Sequence, residues 1–251
     1  MFHKCLDRQN TNASFAFLIM KTILTVLTIA AFGGAAACAA EISGKVTLTG
    51  TPPPEKQIVP DAACGKMSPH LETRHYVVGA DHGLGNVFVY IKEGAKSTPP
   101  PSEKGPLLDQ KGCQYLPYVM GVQAGQHFDV ENSDPLLHNV HALPKVPGNK
   151  ERNVGQPIPM KTDFMFPKEE VLVQFKCEVH PWMFAYVGVV DHPYFAVTDK
   201  DGSFKISGLP AGEYTVEAVH LKAGRKTQKI TVGADDKKTV DFTLEAKSPP
   251  R

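Results

Sequence analysis

The chain has 251 residues, with 27 basic and 26 acidic side chains and a formal net charge of +1. That balance leaves no basic stripe of the kind that coats phosphates, so nucleic acid is not an expected partner. Gly and Pro number 21 each, and no apolar run at helical period stands out after residue 40. Short strands joined by turns are therefore expected, and the fold class reads as all-β.

Residues 1–40 read as leader rather than fold. Met20-Lys21 opens a positive start, Ile23 to Phe32 is apolar, and small residues continue to Ala40. This is the pattern of a secretory signal peptide, with an apolar segment too short to favour a retained membrane span. Residues 1–19 read as an upstream extension. Ala37-Cys38-Ala39 fits an ordinary small-residue cleavage site, which is the expectation. Cys38 also fits a lipid-modified cysteine, which would tether the protein to a membrane. A periplasmic or secreted location follows from either.

The first strand is expected over Glu41–Gly50, and Thr51-Pro52-Pro53-Pro54 stops it. Residues 55–72 carry Cys64 but no clear period and read as loop. His75–Val78 and Asn86–Ile91 read as strands, the second rich in β-branched and aromatic residues. Pro99–Ser102 is a semi-rigid connector. Gln114–Val122 and Gln123–Val130 are two strands around an Ala124-Gly125 turn, and the second leads to Asn132 and His138. The Pro- and Gly-rich stretch from 141 to 164 reads as a surface excursion with little structure. Met165–Val190 is then a hairpin with Cys177–Met183 at its tip. Beyond Asp191-His192-Pro193, Phe195–Ile206 gives a hairpin signal around Asp201-Gly202, and Gly208–Ala218 continues into another strand.

The hairpin tip carries the chemistry. In Cys177-Glu178-Val179-His180-Pro181-Trp182-Met183 a thiolate, an imidazole and a thioether recur at three-residue steps just after the strand-like run Val171–Phe175. That donor set suits copper cycling between two oxidation states better than zinc, which rarely takes Met. A blue copper site needs one more imidazole, and Asn132-Ser133-Asp134-Pro135-Leu136-Leu137-His138-Asn139-Val140-His141 offers it. Each donor has an ordinary reading as well: Cys177 as a small buried hydrophobe, His180 as a hydrated surface histidine, Met183 as core filler, and His141 as a rival to His138. The recurrence of all of them in order favours metal. No nucleophile–base pair and no phosphate-cradling loop stands out.

These two segments resemble the cupredoxins, in the amicyanin and plastocyanin branch, whose pattern is an early His-Asn-Val and a late Cys-x-x-His-x-x-Met. The short Cys-to-Met spacing is that of amicyanin. The resemblance implies a Greek-key sandwich holding one type 1 copper ion through His138, Cys177, His180 and Met183. Asn139 would tie the two ligand segments together. In such proteins the imidazole at the place of His180 bridges the metal and a solvent-facing apolar patch, to which Pro181, Trp182 and Phe184 would contribute as a partner-docking surface. With Cys5 and Cys38 in the leader and Cys177 on copper, Cys64 and Cys113 are an even pair in an oxidising compartment. A disulfide between them is expected, against two separate thiols exposed to oxidation.

A second resemblance begins near residue 193. Thr198-Asp199-Lys200-Asp201-Gly202-Ser203-Phe204, followed by Gly208-Leu209-Pro210-Ala211-Gly212-Glu213-Tyr214, is similar to the carboxypeptidase-regulatory or transthyretin-like sandwich. The match over roughly 193–245 is short for such a domain. Either strands from residues 41–95 complete it, with the copper domain inserted between them, or those strands pair within an enlarged copper domain. The second arrangement is the expectation, giving a copper domain over 41–192, a smaller β-sandwich over 193–246 and a tail at 247–251.

The function implied is that of an exported one-electron carrier between redox protein partners, not an enzyme. One alternative is a secreted binding or assembly module with a structural copper site. Another is an electron-feeding subunit of a copper-dependent oxidoreductase.

Overall fold

A computed structural model describes residues 39–95 and 99–247, so the leader through Cys38, with its cleavage and lipidation signals, lies outside them. No helix among the described residues is long and apolar enough to cross a membrane. The described residues open with β1 (Ala40–Thr49) and β2 (Phe88–Glu93). Nine strands follow: β3 (Leu107–Gln110), β4 (Tyr115–Leu116), β5 (Val119–Gln123), β6 (Phe128–Asn132), β7 (His138–Leu143), β8 (Arg152–Gln156), β9 (Met160–Phe164), β10 (Glu170–Lys176) and β11 (Phe184–Val190). Six more close the chain: β12 (Phe195–Val197), β13 (Ser203–Leu209), β14 (Gly212–His220), β15 (Gly224–Val232), β16 (Lys237–Thr239) and β17 (Phe242–Glu245). A short α-helix, α1 (Ala62–Met67), and a 3-10 turn at Ala80–His82 lie between β1 and β2.

The nine middle strands build one sandwich. A five-stranded sheet ordered β5-β11-β10-β7-β8 faces a four-stranded sheet ordered β4-β3-β6-β9. Period-two alternation decides what lies between them. Val173 and Phe175 of β10 and Ala185, Val187 and Val189 of β11 meet Leu108, Phe128, Val130 and Phe164 from the opposite sheet in a single core. β10 and β11 are antiparallel neighbours, pairing Phe175 with Ala185 and Lys176 with Phe184. Their connection is the Cys177–Met183 loop, so it projects from one end of this sandwich.

The first two strands belong with the last six. β1 pairs with β13, β16 and β17, and β2 sits between β12 and β14. Ile42, Val46, Val89, Ile91, Val216 and Phe242 share the core between these two sheets. This differs from the expectation that the strands before residue 95 pair within an enlarged copper domain: the nine-stranded sandwich is inserted between β2 and β12. The reason is visible in β2. Phe88 to Ile91 is buried at every position, Val89 and Ile91 in their own core and Phe88 and Tyr90 in a separate apolar junction against the inserted sandwich. A strand covered on both faces reads as a continuous apolar run, and that run does not say which side holds its partners.

The junction has a flat seat. Gly121 of β5 and Gly188 of β11 are register partners, and the Phe88 ring lies against both. A Cβ at Gly188 would stand 2.5–2.6 Å from three Phe88 ring atoms, and one at Gly121 would stand 2.4–2.5 Å from the Phe195 ring. Only glycine lets the two sandwiches approach this closely.

Four local expectations differ from what is observed. The stretch 141–164 contains β8 and β9, which pair with β7 and β6. These strands bury few side chains, mainly Gln156, Thr162 and Phe164, so they lack an apolar alternation. The loop 55–72 contains α1, capped by Asp61, whose Oδ1 accepts from the Ala63 and Cys64 amides. His75–Val78 is not a strand and makes only a bridge between Val78 and Leu84. The Asp201-Gly202 turn forms, with Gly202 at φ 82, but β12 and β13 lie in opposite sheets. It is a crossing between sheets rather than a hairpin.

Candidate metal centre

Two segments deliver the donors. β6 ends at Asn132, whose side-chain amide donates to the carbonyls of Leu136 (2.9 Å) and Gln156 (3.0 Å) and whose Oδ1 accepts from the Asp134 amide (3.0 Å). This fixes the turn that starts β7 at His138. The second segment is the β10–β11 loop, closed on itself by Met183 N–H donating to the His180 carbonyl (2.9 Å) and Cys177 N–H donating to the Met183 carbonyl (3.2 Å).

The structure brings His138, Cys177 and His180 together. His138 Nδ1 lies 3.0 Å from His180 Nδ1, and His180 Nδ1 lies 3.7 Å from Cys177 Sγ. All three donors fall within 4.8 Å of one another, and all three residues are buried. Met183 is 1 % exposed and packs in the sandwich core beside this loop. His141 stays out of the cluster. Its Nδ1 meets Glu178 (2.5 Å) and its Nε2 meets Glu151 (2.6 Å). Burial opposes protonation there, but the two carboxylates outweigh it and raise its pKa.

The far nitrogens settle the chemistry of the near ones. His138 Nε2 faces Asp134 Oδ2 at 2.8 Å, and His180 Nε2 faces Asp61 Oδ2 at 3.3 Å. A carboxylate opposite each Nε2 favours the proton there, the tautomer in which each Nδ1 presents a lone pair. Two lone pairs 3.0 Å apart with a sulfur beside them are mutually repulsive unless a cation is shared, so the donor set fits a metal ion. Burial, reinforced by the neighbouring His138, lowers the His180 pKa against the pull of Asp61. The Asp61 carboxyl is held low first by the Cys64 amide; burial, the next largest effect, opposes this, and the Ala63 amide and His180 add to the lowering.

Asn139 does tie the segments. Its Oδ1 accepts from Glu178 N–H (3.2 Å), its Nδ2 donates to the Val154 carbonyl (3.2 Å), and its own amide donates to Cys177 Sγ (3.3 Å). Tyr115 adds a second tie that sequence reasoning missed: its hydroxyl donates to the Asn139 carbonyl at 2.7 Å and lies 3.3 Å from that of Lys176. Burial and the nearby Cys177 push its pKa up. Asp61 and Asp134 were also missed. Asp134 stands inside the Asn132–His141 segment, and its four-residue spacing to His138 was the available signal. Asp61 lies in a stretch without a period and gave none.

Cys64 and Cys113 form a disulfide, and it abuts the cluster: both sulfurs lie within 4.8 Å of a His180 ring nitrogen. The helix it anchors covers that imidazole. His180 is only 4 % exposed, so it has no bare edge at the surface of the kind the resemblance implied. The expected docking surface is also divided. Pro181 is exposed. Trp182 is half-buried, its indole N–H donating to the Cys113 carbonyl (3.1 Å), and its ring centroid lies 5.3 Å from that of His180. Phe184 packs instead against the junction between the sandwiches.

Fold and site together define an all-β protein with a buried His-His-Cys cluster able to hold a metal ion. Residues 181–245 match the family model of the carboxypeptidase regulatory-like domain. No curated protein matches the chain. Among solved structures, the chain is similar to an oxidised amicyanin variant, with a TM-score of 0.31 at 19% identity, covering 40% of this chain and 89% of that one. A purple cupredoxin from Nitrosopumilus maritimus gives a TM-score of 0.26 at 24% identity, covering 30% of this chain and 80% of that one. A copper-containing nitrite reductase from Thermus scotoductus gives 0.30 at 18% identity, covering 40% of this chain, which spans only 25% of the reductase.

Proposed function

We propose that the chain is an exported carrier of single electrons, holding one type 1 copper ion through His138, Cys177, His180 and Met183. The observation that carries this reading is the convergence of two imidazole Nδ1 atoms and one thiol sulfur in a buried site while both Nε2 atoms face carboxylates. Two histidines and one cysteine with a methionine nearby is the donor set of blue copper, whereas structural zinc takes four strong ligands. When bound, copper would supply a one-electron couple. The protein's own residues do the rest. Asp61 and Asp134 orient the imidazoles, the Asn139 amide donates to the sulfur, and Tyr115 and the Asn139 side chain hold the two segments at a fixed spacing. A site held this firmly changes little between oxidation states.

Redox proteins are the partners this reading requires, one to donate and one to accept, and no bond-making step is assigned to the chain. The periplasm or the extracellular space is the proposed location, supported by the leader sequence and by the disulfide. The test is a titration of the purified protein with Cu(II). The expected result is an intense visible charge-transfer band that saturates at one equivalent and is absent from Cys177→Ala. Binding without such a band, or tighter retention of Zn(II) as a colourless ion, would replace electron transfer with a structural metal site.

A further inference from the structure

The two carboxylates that orient the candidate ligands are themselves held by the two halves of the disulfide. On one side Cys64 N–H donates to Asp61 Oδ1 at 2.9 Å, joined by Ala63 N–H at 2.8 Å, and Asp61 Oδ2 meets His180 Nε2 at 3.3 Å. On the other, Cys113 N–H donates to Asp134 Oδ2 at 2.8 Å, joined by Gly112 N–H on Oδ1 at 2.7 Å, and the same Oδ2 meets His138 Nε2 at 2.8 Å. Each path runs from half-cystine amide to aspartate to imidazole, and both end at the shared space between the Nδ1 atoms. The Cys113 sulfur, an Asp134 oxygen and a His138 nitrogen also lie within 4.8 Å of one another.

We infer that the Cys64–Cys113 bridge is a working part of the metal centre, and that Asp61 and Asp134 are the positioning residues through which it acts on His180 and His138. This rests on the copper reading above. Cys64 is the one buried residue of α1, and the Asp61 side chain is 50% exposed. Within α1 the bridge is therefore the one buried tie that sets Asp61 against His180, while the flanking Ile58 and Leu71 hold the base of the segment on the same core. Asp134 is 4 % exposed and has more anchors, so the His180 side is the one that depends on the bridge.

An ordinary stabilising disulfide acts by restricting the unfolded chain. Its loss lowers stability and leaves the folded protein's metal affinity unchanged. A bridge that orients ligands behaves differently, since removing the partner of a metal-bound imidazole typically weakens binding by about 10- to 100-fold. The carboxylate also makes the imidazole more basic, which favours Cu(II) over Cu(I), so its removal raises the reduction potential.

The deciding experiment measures Cu(II) affinity, by competition with a chelator, and reduction potential for the full chain as wild type, Asp61→Asn, C64S/C113S and all three substitutions together. Circular dichroism reports that each is folded at the temperature used. Asp61→Asn and the bridge removal should each weaken Cu(II) by about 10- to 100-fold and raise the potential. The triple variant should be within about twofold of C64S/C113S, because Asp61 acts only while the bridge holds it. Wild-type affinity in folded C64S/C113S, or losses that multiply in the triple variant, overturn the inference and leave the copper reading standing. A wild type that takes up no copper overturns both. If C64S/C113S does not fold, the near-isosteric Asp61→Asn decides alone: unchanged affinity and potential refute the inference.

Discussion

The seat of Phe88 on Gly188 allows a sharp test of how the two sandwiches are joined. Gly188→Ala places a methyl carbon 2.5–2.6 Å from three atoms of the Phe88 ring. The ring cannot step aside, because Tyr90 and Phe195 flank it at centroid distances of 5.4 and 5.7 Å. The cost is expected near the top of the overpacking range of about 1–3 kcal/mol. Phe88→Ala removes a fully buried ring and should cost about 3–5 kcal/mol. In the double variant the new methyl enters the space the ring has vacated, so the pair should cost no more than Phe88→Ala alone. The coupling energy then recovers about 1–3 kcal/mol, nearly all of the glycine substitution's cost. Urea unfolding followed by far-ultraviolet circular dichroism measures each corner of the cycle. Gly155→Ala serves as the control, since a Cβ there meets nothing within 4 Å. Additive costs for the two junction substitutions would refute this account of the interface.

Acid should destabilise the outer sandwich through His220. Burial first, then the charges of His75 and Lys222 against the pull of Glu55, depresses its pKa from 6.5 to about 4. The unfolded chain then binds the proton more readily, so stability is full above about pH 6.5 and falls as pH drops towards 4, by about 3 kcal/mol. His220→Asn, which keeps an acceptor for the Ala223 amide that now donates to Nδ1 at 3.0 Å, should remove that decline. The same slope in wild type and variant would sink the argument. Trp182 is the chain's single tryptophan, and its ring centroid lies 5.3 Å from that of His180. One equivalent of Cu(II) should therefore quench the intrinsic tryptophan fluorescence. Equal quenching in Cys177→Ala at the same concentration would show that the ion is bound elsewhere.

Much of the site was legible in the sequence because its donors sit at short, fixed spacings on a hairpin tip and at a strand start. His138, Cys177 and His180 converge, and the even cysteine pair is joined. What escaped was everything that acts across long separations without a periodic signature. Asp61 meets His180 from the N-cap of a six-residue helix whose one buried residue is bonded to Cys113, a contact between distant segments. Tyr115 reaches two carbonyls from a two-residue strand. The same reason explains β8 and β9: their outward residues are polar and their few inward ones include Gln156, so hydrogen bonding rather than an apolar stripe holds them. Gln156 Nε2 donates to the Val130 carbonyl and Thr162 Oγ1, each at 3.0 Å. The placement of β2 was misjudged because a run apolar on both faces has no preferred side.

The insertion of one sandwich into another sets an order of assembly. Of the described strands β1 and β2 are made first, yet the strands they need, such as Ile206 opposite Ile42 and Ala218 opposite Val89, are made last. The inserted sandwich is complete once Val190 has emerged, and its hairpins and local pairings can close while the two early strands wait with unpaired edges. Such edges invite pairing with other chains. Late closure of the outer sandwich is thus the step at which this protein is most exposed to aggregation, and substitutions in β13 to β17 should lower soluble yield more than equally destabilising ones in β5 or β11.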